Sequence, residues 1–114
     1  MTKAKSPKKQ HRQAKMKRIK SGGIFEDQVG YCRAVVADGW VHVAGTVAPG
    51  DDVSADIVEQ CRAALKVIED ALTKAGAGFA DAVRVTYVVP NPAEFDACWP
   101  LLAATFGANP PAAM

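Results

Sequence analysis

Few side chains in this sequence stand where they could do chemistry, and the most suggestive are two pairs flanking one valine-rich run: Tyr31-Cys32 before it and Gly45-Thr46 at its end. A phenol beside a thiol offers a donor and a latent nucleophile, and a glycine at the end of a strand lets a ligand or another backbone come close. Nothing nearby in the sequence lowers the pKa of Cys32, so a thiol enzyme is the weaker use of that pair. The cysteines are Cys32, Cys61 and Cys98, an odd count with no CxxC spacing, which fits free thiols in a reducing compartment. Of the two histidines, His11 lies in the basic N-terminal segment and His42 in the body, too few for a zinc site. Asp51-Asp52 suits a solvated loop better than a catalytic carboxylate pair.

Charge divides the chain. Residues 1–20 hold nine Lys or Arg and no acid, whereas the remainder holds five basic and twelve acidic residues. Residues 1–18 read as a basic, disordered tail, because they lack apolar periodicity and are interrupted by Ser6-Pro7. If this tail has a partner, it is phosphate, drawn electrostatically to Lys8, Lys9, Arg12, Lys17 and Arg18. It has no aromatic residue on which a base could stack, so nucleic-acid binding would be weak and without sequence preference. No apolar run approaches the roughly 20 residues of a membrane span, and the N-terminus lacks the apolar region of a secretory signal. A cytoplasmic protein is expected.

The elements that must position these residues begin with a β-hairpin over residues 33–46. Asp38-Gly39 supplies the two turn positions that need positive φ, and Trp40 and His42 should face one way with Val41 and Val43 facing the other. Before it, Ser21-Gly22-Gly23 punctuates the chain, and Ile24 to Tyr31 reads as a short connector carrying Glu26-Asp27. After it, a loop at 48–52 leads to a helix over 55–75, N-capped by Ser54 and closed by Gly76. Ile57, Cys61, Ala64, Leu65, Ile68 and Leu72 form its apolar stripe, so Cys61 reads as a small buried hydrophobe. Phe79 should fold back on the core. A strand follows over 81–89, ended by Pro90 and Pro92. A second helix is expected over 93–105, broken or starting late because of Pro100. The Gly/Pro loop at 107–111 then leads to only Ala112-Ala113-Met114, which leaves the sheet edge open and suggests a missing terminal strand or two.

Several of these stretches resemble one family. Ser21-Gly22-x-x-Phe25-Glu26-x-x-Val29-Gly30-Tyr31-Cys32-Arg33-Ala34-Val35 is similar to the opening of the Rid family, also called YjgF, the reactive-intermediate deaminases, or by an older label endoribonuclease L-PSP. The hairpin ending Ala44-Gly45-Thr46 resembles it too, as do Val85-Thr86-Tyr87-Val88-Val89, Glu94-Phe95-x-x-Cys98-Trp99-Pro100, Phe106-Gly107 and the final Pro110-Pro111-Ala112-Ala113-Met114. The likeness covers residues 19–114 in order, leaving the tail outside.

The resemblance implies an α+β, chorismate-mutase-like fold: a mixed sheet with two helices packed on one face. It implies a homotrimer with clefts between subunits, no cofactor, and hydrolysis of enamines and imines such as 2-aminoacrylate to a keto acid and ammonia. By the same resemblance Tyr31 and Cys32 line or adjoin the pocket, Gly45 and Thr46 lie beside it, and Trp99 and Ala113 occupy two further binding positions. Deaminase-competent members carry an arginine at the position of Ala113, where a guanidinium fork grips the substrate carboxylate. Alanine offers no such grip, which would weaken carboxylate binding by roughly 2–5 kcal/mol in a desolvated site. Trp99 likewise stands at an asparagine position. The expectation is an imine or enamine hydrolase with a larger, more apolar substrate than 2-aminoacrylate. The alternative is a non-catalytic module binding a metabolite or, through its tail, RNA.

Overall fold

The computed structural model describes residues 16–50 and 53–114. They belong to two compact units, one ending at Gly45 and one running Thr46–Met114.

The first unit opens with β1 (Lys17–Ile19), followed by a short helix α1 (Ile24–Val29), β2 (Ala34–Ala37) and β3 (Trp40–Val43). The three strands form an antiparallel sheet in the order β1-β2-β3, with Ile19 opposite Ala34 and Ala37 opposite Trp40. Asp38 and Gly39 take φ of 52° and 80°, the left-handed pair that a two-residue hairpin turn needs. The expected alternation holds: Trp40 and His42 are exposed while Val41 and Val43 are half-buried. Two corrections concern this unit. Lys17 and Arg18 are strand residues, since Ile19 is an apolar anchor buried against β2 and carries them into the ladder. The rest of the basic segment lies outside the described residues. Ile24 to Tyr31 is not a connector but a helix with a bend after it. Six residues are too few to show a period, so its caps define it: Gly23 donates its N–H to Glu26 Oε2 at 3.3 Å, and Gly30 closes the helix at φ 90°.

The second unit begins with α2 (Ile57–Lys74). Its N-cap is Asp56, whose Oδ1 accepts from Val58 N at 2.8 Å. Ser54, the expected cap, sits two residues earlier and accepts from the Asp56 N–H at 3.1 Å. Ala75 is the C-cap, and Gly76 follows at φ 80° with Ala77 N bonded back to Leu72 O at 2.8 Å, a Schellman closure. A 3-10 turn over Phe79–Asp81 then leads to β4 (Arg84–Val85), shorter than the expected strand. A 3-10 segment over Pro92–Cys98 runs into α3 (Trp99–Phe106). Pro100 thus falls in the first turn of α3, where its missing N–H costs nothing, the late start that its position demands.

The last residues of the sequence pair with β4. Ala112–Ala113 form β5, parallel to β4, with Tyr87 N donating to Met114 O and Met114 N to Val85 O, each at 2.9 Å. The helical stretch from Pro92 to Phe106 is the crossover that a parallel pair requires. The core of this unit is Cys98, Leu102 and Phe106, against which Ile57, Cys61 and Leu65 of α2 pack. Phe79 folds back as expected, edge-on to Phe106 with centroids 5.3 Å apart. The architecture is α+β, and the strand pairing comprises a three-stranded antiparallel and a two-stranded parallel sheet.

Candidate functional site

The sharpest chemical feature is a buried ion pair that the sequence reading left unremarked. Arg33 is the only Lys or Arg between Lys20 and Arg62, and a lone cation in a valine-rich run has to find a partner. The partner is Glu26. Their side chains are 9% and 2% exposed, and Arg33 Nη2 lies 3.7 Å from Glu26 Oε2.

Each member is fixed from several sides. The Glu26 carboxylate accepts from the Ser21 N–H at 3.1 Å, from the Gly23 N–H at 3.3 Å and from the Ser21 hydroxyl. These bonds, the Ser21 hydroxyl foremost, together with the Arg33 charge outweigh burial and hold the carboxyl below its ordinary range. The backbone of Arg33 belongs to the sheet: its N–H donates to Ile19 O at 2.8 Å, and its carbonyl accepts from Ala44 N at 2.9 Å. The guanidinium spreads over three further groups. Nη1 donates to Gly45 O at 2.7 Å, Nη2 reaches Tyr31 Oη at 3.4 Å and Nε reaches Ser21 Oγ at 3.4 Å. Its Cζ also lies 5.4 Å from the Tyr31 ring centre, a cation–π contact.

This arrangement brings together two of the residues singled out from sequence. Tyr31 is 37% exposed, and its backbone is tied down where its N–H donates to Glu26 O at 3.0 Å. Gly45 is exposed, and a side chain added to it would meet open space. A phenol and an open glycine therefore share one guanidinium, at the surface of the first unit. Cys32 is half-buried beside them and spends its thiol on Ala34 O at 3.4 Å, so it is not poised as a nucleophile. The remaining candidates lie in the second unit. Thr46 is half-buried, Trp99 is 56% exposed at the start of α3, and Ala113 is exposed on β5 opposite Val85. Of the basic candidates, Lys17 and Arg18 are exposed on β1, while Lys8, Lys9 and Arg12 lie outside the described residues. Cys61 packs against the core, and burial foremost, with Cys98 beside it, pushes its thiol up in pKa, away from thiolate chemistry.

Among the described residues no group of three or more His, Cys, Asp or Glu could hold a metal ion, and no helix is long and apolar enough to cross a membrane.

Comparison with known proteins gives the family of the chain. The profile of the family described as Endoribonuclease L-PSP matches residues 25–114, a span that includes Glu26, Tyr31, Arg33 and Gly45. No curated protein matches the chain significantly. Among solved structures, Rv2704 of Mycobacterium tuberculosis, a member of the YjgF/YER057c/UK114 family, is 40% identical with a TM-score of 0.77, over 86% of this chain and 80% of that one. A protein of Entamoeba histolytica named for endoribonuclease L-PSP is 23% identical with a TM-score of 0.76, over 87% and 82% of the two chains. Yeast Mmf1 is 17% identical with a TM-score of 0.72, over 85% and 76%. The latter two share the fold, and the first shares the family as well. The α+β chain with its Tyr31–Arg33–Gly45 corner belongs to the endoribonuclease L-PSP family, the YjgF or Rid group of proteins.

Proposed function

We propose that this protein hydrolyses imines or enamines to carbonyl compounds and ammonia, in a pocket that includes Tyr31 and Gly45. The observation that carries the reading is the shared guanidinium. Arg33 donates toward the Tyr31 oxygen and to the Gly45 carbonyl, so the phenol keeps its own proton to donate outward. A phenol that accepts from a cation is a stronger donor to a third group. In the proposed reaction water adds across the C=N bond to give a carbinolamine. The C–N bond then breaks, its electron pair leaves with nitrogen, and ammonia and a carbonyl group result. The Tyr31 hydroxyl would orient that water or the imine nitrogen.

The substrate we favour is apolar. At the positions that the family resemblance assigns to substrate contacts, Ala113 offers no charge to a carboxylate and Trp99 offers a large apolar side chain. Efficient turnover of 2-aminoacrylate is therefore not expected. We place the pocket in a homotrimer, a reading supported by the large apolar side chains a single chain leaves exposed, and we place the protein in the cytoplasm, in keeping with its three free cysteines.

The test is ammonia release from imines generated in place by an amino-acid oxidase acting on phenylalanine, leucine and alanine. The expected result is a rate above the oxidase-only control, largest for phenylalanine and lost in Gly45→Val, which keeps its Tm because the added side chain meets open space. No rate above the control with any amino acid would overturn the hydrolase reading. Retained binding of the corresponding keto acids would then make the protein a ligand-binding module.

A further inference from the structure

We infer that Arg33 is a positioning residue, set by Glu26, that fixes the Tyr31 hydroxyl and the Gly45 carbonyl relative to one another. The inference rests on the proposed pocket for its functional consequence, but its geometry stands on this chain alone.

Three observations carry it. The guanidinium is too enclosed, and too engaged with Ser21, Glu26, Tyr31 and Gly45, to grip a substrate itself. Its planar fork reaches two groups in different segments, which the single point charge of a lysine cannot do with the same geometry. The carboxylate that orients it is held by Ser21 and Gly23, and the main chain of the same Glu26 accepts the Tyr31 N–H. Glu26 therefore fixes Tyr31 twice, directly through its backbone and indirectly through Arg33. The backbone pairing of Arg33 with Ala44 brings the loop that carries Tyr31 near Gly45, and the Arg33 side chain, which reaches both the Tyr31 hydroxyl and the Gly45 carbonyl, sets the spacing of those two groups.

A purely structural buried ion pair would need only a cation at this position. A positioning role needs the fork. Arg33→Lys separates them, with Arg33→Gln as the variant that loses both. The chain has two tyrosines, Tyr31 and Tyr87, so protein labelled with 3-fluorotyrosine gives two fluorine resonances, assigned with Tyr87→Phe. Thermal unfolding reads the fold, the Tyr31 resonance reads the site geometry, and titration with phenylpyruvate reads binding.

The expected result is that Arg33→Lys keeps a Tm near that of the wild type, moves the Tyr31 resonance but not that of Tyr87, and weakens phenylpyruvate binding by roughly ten- to hundredfold. An unmoved Tyr31 resonance overturns the inference, as does full affinity despite a moved resonance. If Arg33→Lys does not fold, the double variant Glu26→Gln with Arg33→Gln removes both charges together and supplies the same readouts. A wild type without ammonia release sinks the hydrolase reading alone, since the fluorine shift and the phenylpyruvate affinity still decide the role of Arg33. A wild type that binds no phenylpyruvate leaves the decision to the resonance: moved supports the inference, unmoved overturns it.

Discussion

A carboxylate taken out of water has to be surrounded by donors, and Glu26 has two from Ser21, one from Gly23 and the Arg33 cation. These favour its charged form and hold the carboxyl below its ordinary value of 4.5. The unfolded chain therefore binds this proton more readily than the folded one does. Stability from Glu26 is complete above the ordinary value and is lost as pH falls through the lowered one. Thermal unfolding followed from about pH 6 to about pH 3 should show a steep loss of Tm in the wild type and a shallower one in Glu26→Gln, which has no proton to take up. Equal slopes would mean that other carboxylates dominate the acid response. The exposed pair of Lys20, just after β1, and Asp27 on α1, 2.7 Å apart, is the natural control, because solvent screens it and its removal should leave the slope nearly unchanged. None of this was legible from residue types. Glu26 and Arg33 are seven apart with no helix or strand spanning both, and only the reversal of the chain after Gly30 brings them together. The signal that existed was a single arginine isolated in an apolar stretch.

Local rules explain the elements where the signals were strong and mislead where two signals competed. The hairpin was readable because Asp38-Gly39 admits few alternatives, and α2 because its stripe repeats over five turns. The start of α2 offered two good caps, Ser54 and Asp56. The chain uses both, Asp56 on the helix and Ser54 on Asp56, and the Ser54 carbonyl also takes the Gln60 side chain at 2.6 Å. Asp56→Ala should therefore cost about 1 kcal/mol. For a domain of this size that is a Tm loss of roughly 4–8 °C. Ser54→Ala should cost less, since it leaves the helix's own cap in place. A larger loss in Ser54→Ala, measured by thermal unfolding, would reassign the cap. The strand β4 and the short helix α1 were misjudged for one shared reason. Both depend on what closes them, the β5 partner for one and the Glu26 and Gly30 caps for the other, rather than on a period of their own.

At the scale of the molecule, the chain leaves unusually large side chains in water. Trp40 and Trp99 are each 56% exposed and Val88 is 89% exposed, while the fully enclosed core reduces to a few residues such as Cys98, Leu102 and Phe106. Single exposed apolar residues need no explanation, but two tryptophans and a valine this exposed call for cover. A second and third copy of the chain is the cover that our reading supplies, and it makes a prediction that couples assembly to chemistry. Sedimentation should give one species of three times the 12.0 kDa chain mass, unchanged over the working concentration range. If the pocket is completed between copies, dilution or mild denaturant that lowers the sedimenting mass should extinguish ammonia release in step with it, before α2 loses its helical signal. A monomer that still releases ammonia would detach the pocket from the assembly and leave the Tyr31–Arg33–Gly45 corner as the whole of the site. A trimer whose activity survives dissociation would do the same. Loss of mass and loss of activity at one common concentration would place the missing wall of the pocket on the neighbouring copy.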